Sequence, residues 1–470
     1  MNKKPQSLLL AYYGDDFTGS TDVMESLARA GVKTVLFLEP PTKAQLAKFP
    51  GLRAFGIAGG SRAMSPTQMQ RELPPAFKAL KASGAPIVHY KTCSTFDSSP
   101  TIGSIGKAIE LGRRVFGERI TPIVVGAPIL GRYVVFGNLF ARSGLDTEPS
   151  RLDRHPTMSR HPVTPMDEAD IRLHLARQTK LPVELVDVLK LAACRKSPKA
   201  NSISQLFTAT RKISPIVLCD TLTEADLPVI GQWIGQLTPG QQLFCAGSSG
   251  IEYSLVAFWR EAGFLPRPAD GHTAIRADQS QVITVSGSCS PVTDRQIGRA
   301  VADGFVEIAC ESASLADKRT RHAAVTDAIS RAQKALSAGR NVIFQTARGP
   351  ADSRRAGFER VAKTYRGSTQ AEKRAAASES LGRGLAQILN EALRRTGARR
   401  AVVCGGDTST HIARELGIDA LEFLAPVAPG SPLCRVHAPG EVANGCGIIF
   451  KGGQVGRDSF FPDFANGITL

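Results

Sequence analysis

Two adjacent carboxylates, Asp15 and Asp16, stand inside the stretch GDDFTGSTD at residues 14–22. Paired acids behind an apolar run are suited to proton chemistry: a carboxylate accepts a hydrogen bond from a hydroxyl and can take its proton as that oxygen attacks. They would repel a polyphosphate unless a metal intervened, because a phosphate cradle is built from glycines, backbone N–H groups and a lysine. The stretch therefore suits a hydroxyl-bearing ligand, with Asp16, or failing it Asp15, as the base. A plainer reading stands beside it, in which one aspartate caps a helix and the other is solvated.

The elements around the pair are legible from apolar spacing. Leu8 to Tyr13 form an apolar run, and Val23, Met24, Leu27 and Ala28 share one helical face, so the order is strand, tight loop, helix. Asp22 and Glu25 have capping-box spacing, which places the helix start at Asp22, and Gly31 is its stop before the apolar run Val32 to Leu38. The loop then sits at the carboxyl edge of a strand in a βαβ unit, where open α/β sheets bind ligands.

Further strand ends bring further polar groups. RAFGIAGGSRAM at 53–64 carries Arg62 past a short strand. Its planar fork fits a carboxylate bidentately, although an ordinary surface charge is the alternative. PIVHY at 86–90 delivers KTCSTFDSSP, with Lys91, Thr92, Cys93, Ser94 and Thr95, ahead of a helix expected over 102–115. A lysine, hydroxyls and a helix N-terminus together suit an anionic, oxygen-rich ligand. TPIVVGAPILGRYVVFG at 121–137 reads as a strand, a turn and a second extended run, and a helix is expected over 167–178. His155 and His161 are six apart with no third ligand near them, so no metal site is expected there.

Pro, Gly, Asp and charges cluster without periodicity over 266–280, which divides the chain into domains at 1–265 and 281–470. The second half opens with the strand QVITV and the loop SGSCSPVTDRQ, where Thr293 and Gln296 have capping-box spacing. Its small residues and helix N-terminus can receive phosphate through backbone N–H groups and the hydroxyls of Ser288 and Ser290. After the strand NVIFQT, a polar, basic segment over 347–378 reads as a loop and an exposed helix, either a surface insertion or a lid. The strand AVVC at 401–404 runs into GGDTST, where Gly405 and Gly406 permit close backbone approach, Thr408 is placed to cap the helix, and Asp407 could hold Mg²⁺ directly or through water. Lys451, Gly452 and Gly453 in IIFKGGQVG follow one more strand.

Composition bounds the class. At 470 residues the chain exceeds one ordinary core, and 42% apolar residues with 44 Gly and 29 Pro fit a loop-rich α/β protein. The formal net charge of +16 suits anionic small molecules as well as nucleic acid. No aromatic interleaving marks a single-strand binder, so no nucleic-acid partner is expected. Nine cysteines without a C-x-x-C pair point to reduced thiols and a cytoplasmic setting. No apolar stretch is long enough to span a bilayer. Neither G-x-x-x-x-G-K-[ST] nor a post-strand G-x-G-x-x-G is present, which disfavours a dehydrogenase.

GDDFTGSTD followed by VMESLARAGVKTVLFL resembles the N-terminal signature of the four-carbon acid sugar kinases, and similar blocks recur to the other end of the chain. The resemblance implies an α/β protein of two domains, each a mainly parallel sheet flanked by helices, with the active site in the cleft between them. It implies an N-terminal sugar-acid domain using Asp16, Arg62, Lys91, Thr92, Cys93, Ser94 and Thr95. It also implies a C-terminal domain that takes ATP with Mg²⁺ on Ser288, Ser290, Gly405, Gly406, Asp407, Thr408 and Gly453. Gly131 with Arg132, the P-G turn at Pro429 and Gly430, and the GSSG before Ile251 match the family too. Cys93 stands where tetronate kinases usually carry Asp, Asp97 where they carry Arg, and Val455 replaces an aromatic residue. The first two departures, both in the KTCSTFDSSP block, favour an oxo or branched acid such as 3-oxo-isoapionate or 3-oxo-tetronate over D-threonate or erythronate. A non-catalytic sugar-acid sensor is the alternative of another class, and a homodimer is compatible with this reading.

Overall fold

The computed structural model describes residues 7–143, 147–161, 163–196, 203, 214–265 and 280–467. The chain forms two compact units, Met1–Ala269 and Asp270–Leu470. The expected linker at 266–280 lies, apart from Ser280, outside the described residues.

In the first unit the strands are β1 (Leu10–Gly14), β2 (Thr34–Phe37), β3 (Ala54–Ala58), β4 (Ile87–Lys91), β5 (Thr121–Val124), β6 (Arg132–Val135), β7 (Asn138–Ala141), β8 (Ser150–Arg151), β9 (Val183–Val186), β10 (Ile216–Cys219) and β11 (Leu243–Gly247). Eight of them pair in parallel in the order β2-β3-β1-β4-β11-β5-β10-β9, while β6, β7 and β8 make a small antiparallel sheet. The central strands are buried on both faces and are mostly apolar, as a covered parallel sheet requires, with His89 and Lys91 as the charged or polar exceptions in β4. From β1 the chain goes to β2 and β3 on one side and to β4 on the other, so the order reverses between β1 and β4. That crevice is the expected ligand position of such a sheet. Gly14 pairs with Ala58 of β3 and with Lys91 of β4, so three carboxyl ends finish level. Tyr13 and Tyr90 stack beneath them with ring centroids 6.1 Å apart.

The first helix runs Phe17–Arg29 and begins at Asp16 rather than at Asp22. Asp16 Oδ1 accepts from the Gly19 N–H at 2.6 Å, so the N-cap forms well upstream of where the Asp22/Glu25 spacing suggested. Glu25 instead pairs with Arg29 at 3.5 Å. Gly31 follows the helix with φ of 86°, as a stop requires. The helix expected at 102–115 runs Ile105–Phe116, capped by Ser104. That expected at 167–178 contracts to Ile171–Ala176, with Asp170 as cap.

In the second unit the strands are β12 (Val282–Ser286), β13 (Val306–Ala309), β14 (Val342–Gln345), β15 (Arg400–Cys404), β16 (Ala420–Ala428), β17 (Ser431–His437) and β18 (Gly447–Lys451). The order is β13-β14-β12-β15-β18-β17-β16. The first five run parallel, and β17 and β16 are added as an antiparallel hairpin. Its turn is Pro429–Gly430, with Gly430 at φ of 73°. Val282, Ile343, Val402 and Ile449 share a core with Phe460, Phe461 and Phe464. The segment 347–378 contains the helix Arg354–Thr364 and the start of the long helix Gln370–Thr396, which Thr369 and Glu372 close with a capping box. Among the described residues no helix is long and apolar enough to cross a membrane.

Candidate functional site

Three loops at the level strand ends of the first unit are bolted together through their backbones. Asp15 N–H donates to Lys91 O at 2.9 Å, Arg62 N–H to Asp15 O at 3.0 Å, and Gly59 N–H to Gly14 O at 3.0 Å. The side chains then meet. Arg62 donates Nη2 to Asp15 Oδ1 at 2.8 Å and Nε to Asp15 Oδ2 at 3.2 Å, and its Nη1 lies 2.7 Å from Asp16 Oδ2. The two aspartates differ in exposure: the Asp15 side chain is 4% exposed and that of Asp16 31%. Only Asp16 is open to a ligand. Burial, with Asp16 adding repulsion, outweighs Arg62 and Lys91 and pushes the Asp15 carboxyl up to about 6. Burial works against the Arg62 guanidinium, yet the same two carboxylates hold it above its ordinary value.

Lys91, buried at the end of β4, places Nζ 3.5 Å from Asp22 Oδ2. Burial works against its charge, but Asp22, Asp15 and Asp16 keep it raised. A Cβ on Gly19 would stand 2.6 Å from Asp16 Oδ1 and 3.1 Å from Lys91 Nζ, so only glycine lets the helix start approach both. The expectation that Arg62 and Lys91 clamp a ligand carboxylate meets a qualification here. Each cation is already matched by carboxylates of the chain, and only its remaining N–H groups are available.

Two partners were missing from the sequence reading. Ser249, in the GSSG stretch before the helix Gly250–Glu261, donates to Asp22 Oδ2. His89, two residues before Lys91 on β4, lies with Nδ1 2.5 Å from Glu252 Oε1 and Nε2 3.1 Å from Gly247 O. Asp22 was in view as part of the motif. Ser249 is 227 residues from it, and no local pattern joins them.

The loop after β4 is internally tied. Thr92, buried, donates its N–H to Gly247 O at 2.6 Å. Thr95 Oγ1 lies 2.5 Å from Asp97 Oδ1 and 2.9 Å from Cys93 Sγ. A single hydroxyl proton goes to the carboxylate, so the Cys93 thiol donates to Thr95 in turn. Burial raises Asp97, yet Arg62 and the Thr95 hydroxyl hold it below its ordinary value. Burial also pushes the Cys93 thiol up, with Asp97 adding to it. Ser94 is half-buried on the turn. Phe96, fully buried at φ of 54°, is held in the left-handed region by packing against His174, which bonds Ser98 at 2.8 Å.

In the second unit three turns converge. Gly287 N–H donates to Cys404 O at 3.0 Å, and Gly405 N–H to Lys451 O at 2.9 Å. The helix Pro291–Ala302 is capped by Ser290, whose hydroxyl accepts from Val292 N–H at 3.1 Å. Thr293 and Gln296 do not form the expected capping box. Thr293 Oγ1 donates to Gly453 O at 2.8 Å, and Gln296 Nε2 donates to the carbonyls of Val455, Gly456 and Arg457 at 2.9 to 3.0 Å. Both buried side chains thus serve the 452–457 turn, a tertiary demand that overrides local spacing. Thr408 likewise does not cap its helix. Gly405 holds the N-cap position at φ of 117°, and Thr408 lies inside the helix Gly406–Glu415.

Two of the turn glycines leave no room for a side chain. A Cβ on Gly453 would fall 2.7 Å from Ser288 Oγ, and one on Gly287 2.5 Å from Thr408 Oγ1. Hydroxyls, backbone N–H groups and two helix N-termini line this cradle, the donor set a polyphosphate uses. Lys451 is fully buried with Nζ on Gly452 O at 3.1 Å, and burial lowers its ammonium. The side chain of Asp407 lies outside the described residues. Among the described residues no group of three or more His, Cys, Asp or Glu is gathered to hold a metal.

Comparison with known proteins follows the same division. A sugar-binding N-terminal domain model matches residues 10–255 and a nucleotide-binding C-terminal domain model matches 283–461. The chain is 47% identical to a 3-oxo-isoapionate kinase of Paraburkholderia graminis, over 97% of this chain and 94% of that one. It is 28% identical to a 3-oxo-tetronate kinase of Methylobacterium radiotolerans, over 97% and 98% respectively. In fold it is similar to a crystal structure of a Salmonella typhimurium LT2 protein, with a TM-score of 0.72, 23% identity, and coverage of 96% of this chain and 98% of that one.

Proposed function

Because the chain belongs to the four-carbon acid sugar kinase family, and is a sugar-acid kinase, we propose that it phosphorylates a hydroxyl of 3-oxo-isoapionate or a closely related oxo or branched sugar acid with ATP. The 47% identity to a kinase of that name supports the branched acid over the tetronates, whose kinases match at 25–29%. Cys93 and Asp97 in the loop after β4 support it as well.

The observation that carries the chemistry is the Arg62 bridge between a buried Asp15 and an open Asp16. Phosphoryl transfer asks little covalent chemistry of the protein and depends on positioning and charge. Asp16 accepts the hydroxyl proton as that oxygen becomes the nucleophile, and its carboxylate is aimed by the Gly19 N–H and Arg62. Asp15 keeps Arg62 in place. The remaining N–H groups of Arg62 and Lys91 hold the acid end of the substrate, and Ser94 with the free acceptor sites of Thr95 and Asp97 read its hydroxyls. Thr92 and Cys93 shape the same loop. Ser288, Ser290, Gly405, Gly406, Thr408 and Gly453 would hold the nucleotide, with Asp407 as a ligand for Mg²⁺; bound, these supply the phosphoryl group and neutralise its charge. Nine free cysteines support a reducing, cytoplasmic setting.

The test is a coupled ADP-release assay over a panel of four- and five-carbon sugar acids. The largest kcat/KM is expected for 3-oxo-isoapionate. Equal or greater turnover of D-threonate or erythronate would overturn the substrate, and no turnover of any sugar acid would overturn the activity.

A further inference from the structure

The Lys91 side chain is 3% exposed, and the carboxylate paired with its ammonium, Asp22 Oδ2, stands 3.5 Å from Nζ. A charge-assisted N–H···O bond closes to about 2.8 Å, so Asp22 balances the charge without drawing in an N–H group. Among the described residues the ammonium donates no hydrogen bond. A buried cation with its donors unmet is costly to hold, and opposite charges on flexible side chains would close the gap if nothing restrained them. Ser249 is the restraint. Buried just ahead of the helix Gly250–Glu261, it donates its hydroxyl to the same Asp22 Oδ2. Its own position is fixed against the strand of Lys91 on both sides of that residue: Glu252 Oε1 lies 2.5 Å from His89 Nδ1, and Gly247 O meets His89 Nε2 at 3.1 Å and the Thr92 N–H at 2.6 Å.

We infer that Ser249 is a positioning residue for the sugar-acid site: by engaging Asp22 Oδ2 it holds that carboxylate off the ammonium, near enough to keep Lys91 charged and far enough to leave its N–H groups to the carboxylate of the substrate. Ser249 acts on the substrate through Asp22 and Lys91, not by contact. Without the hydroxyl, Oδ2 closes on Nζ, one N–H is taken up, and the ligand has to compete with an internal carboxylate. Burial works against the Lys91 charge while Asp22 leads the groups that sustain it, so the carboxylate has to stay close. This inference rests on the reading of Lys91 as a grip on the acid end of the substrate.

Steady-state kinetics on the full chain, at saturating ATP with Mg²⁺ and with the sugar acid of highest kcat/KM in the panel above, test it through a double-mutant cycle. Ser249→Ala is expected to raise the KM for the sugar acid by about tenfold and to leave kcat within about threefold, as lost uniform binding does. Ser249→Cys, close in size but a weak donor, is expected to raise that KM in the same way and replaces the alanine variant if the latter does not stay folded. Lys91→Met is expected to raise it at least as much, and adding Ser249→Ala to Lys91→Met to change it no further, within about twofold. A Ser249 that only supports the fold would show its full effect again in the double variant, and a wild-type KM in Ser249→Ala would mean that Asp22 keeps its place unaided. Either result overturns the inference. If Lys91→Met itself keeps the wild-type KM, the reading of Lys91 fails and the inference falls with it.

Discussion

Arg62 grips Asp15 at two points, Nη2 to Oδ1 at 2.8 Å and Nε to Oδ2 at 3.2 Å, across 47 residues of chain. The grip requires a planar fork, since a third N–H must still reach Asp16 at 2.7 Å. Arg62→Lys keeps the charge and loses the geometry. Steady-state kinetics on that variant are expected to show kcat/KM lowered by about a hundredfold or more; retention within a factor of three would mean that charge alone suffices.

Asp16 has two tasks, and one substitution separates them. Asparagine caps a helix about as well as aspartate, so Asp16→Asn should keep its melting temperature close to that of the wild type. As a poor proton acceptor it should lower kcat by about 10²- to 10⁴-fold. Asp16→Ala should lose the cap as well, at a cost of about 1 kcal/mol in denaturant unfolding. An Asp16→Asn enzyme with wild-type kcat would remove the base.

The Asp15 carboxyl, pushed up to about 6 by burial, predicts an acid limb in kcat/KM near that pH. Below it Asp15 takes a proton and Arg62 loses a counter-charge, so activity falls as pH falls. Stability runs the other way for this group. Its folded value lies above the ordinary 3.8, so the folded state binds the proton more tightly. The group's contribution is therefore greatest below 3.8 and is lost as pH rises through about 6. A pH–rate profile beside a pH–stability profile would reveal the opposed slopes, and a rate profile that stays flat through about pH 6 would contradict the assignment.

Gly453→Ala should act on the nucleotide alone. A methyl 2.7 Å from Ser288 Oγ forces one of them aside. The KM for ATP is expected to rise by about tenfold or more, while calorimetric affinity for the sugar acid stays within a factor of two.

His89 and Glu252 are both wholly buried, 2.5 Å apart, and link β4 to the helix Gly250–Glu261 that follows the Ser249 contact to Asp22. Glu252→Ala leaves the imidazole without its partner. It is expected to cost about 3 kcal/mol in equilibrium unfolding, because one half of a buried polar pair remains unpaired. A loss below about 1 kcal/mol would show that water or repacking replaces the carboxylate.

Apolar runs broken by glycine and followed by helical spacing are local signals. From them alone Asp15, Asp16 and Lys91 fall at the carboxyl ends of strands and Ser288, Gly405 and Gly453 fall on turns, whereas the mainly parallel sheet in both halves was implied by the family resemblance. Burial of a parallel sheet leaves few other solutions for such runs. Where two local signals competed, spacing misled. Asp22 with Glu25, and Thr293 with Gln296, have the intervals of caps, but Asp16 and Ser290 took those places; Asp22, Thr293 and Gln296 are used by distant segments, and Glu25 by Arg29 on its own helix. The pairing of Arg62 with both aspartates, Ser249 with Asp22 and His89 with Glu252 was decided only by the tertiary structure. Each joins groups from different elements, and the free energy that selects one partner over another exists only once water has been excluded and the competing charges have been brought within a few ångströms.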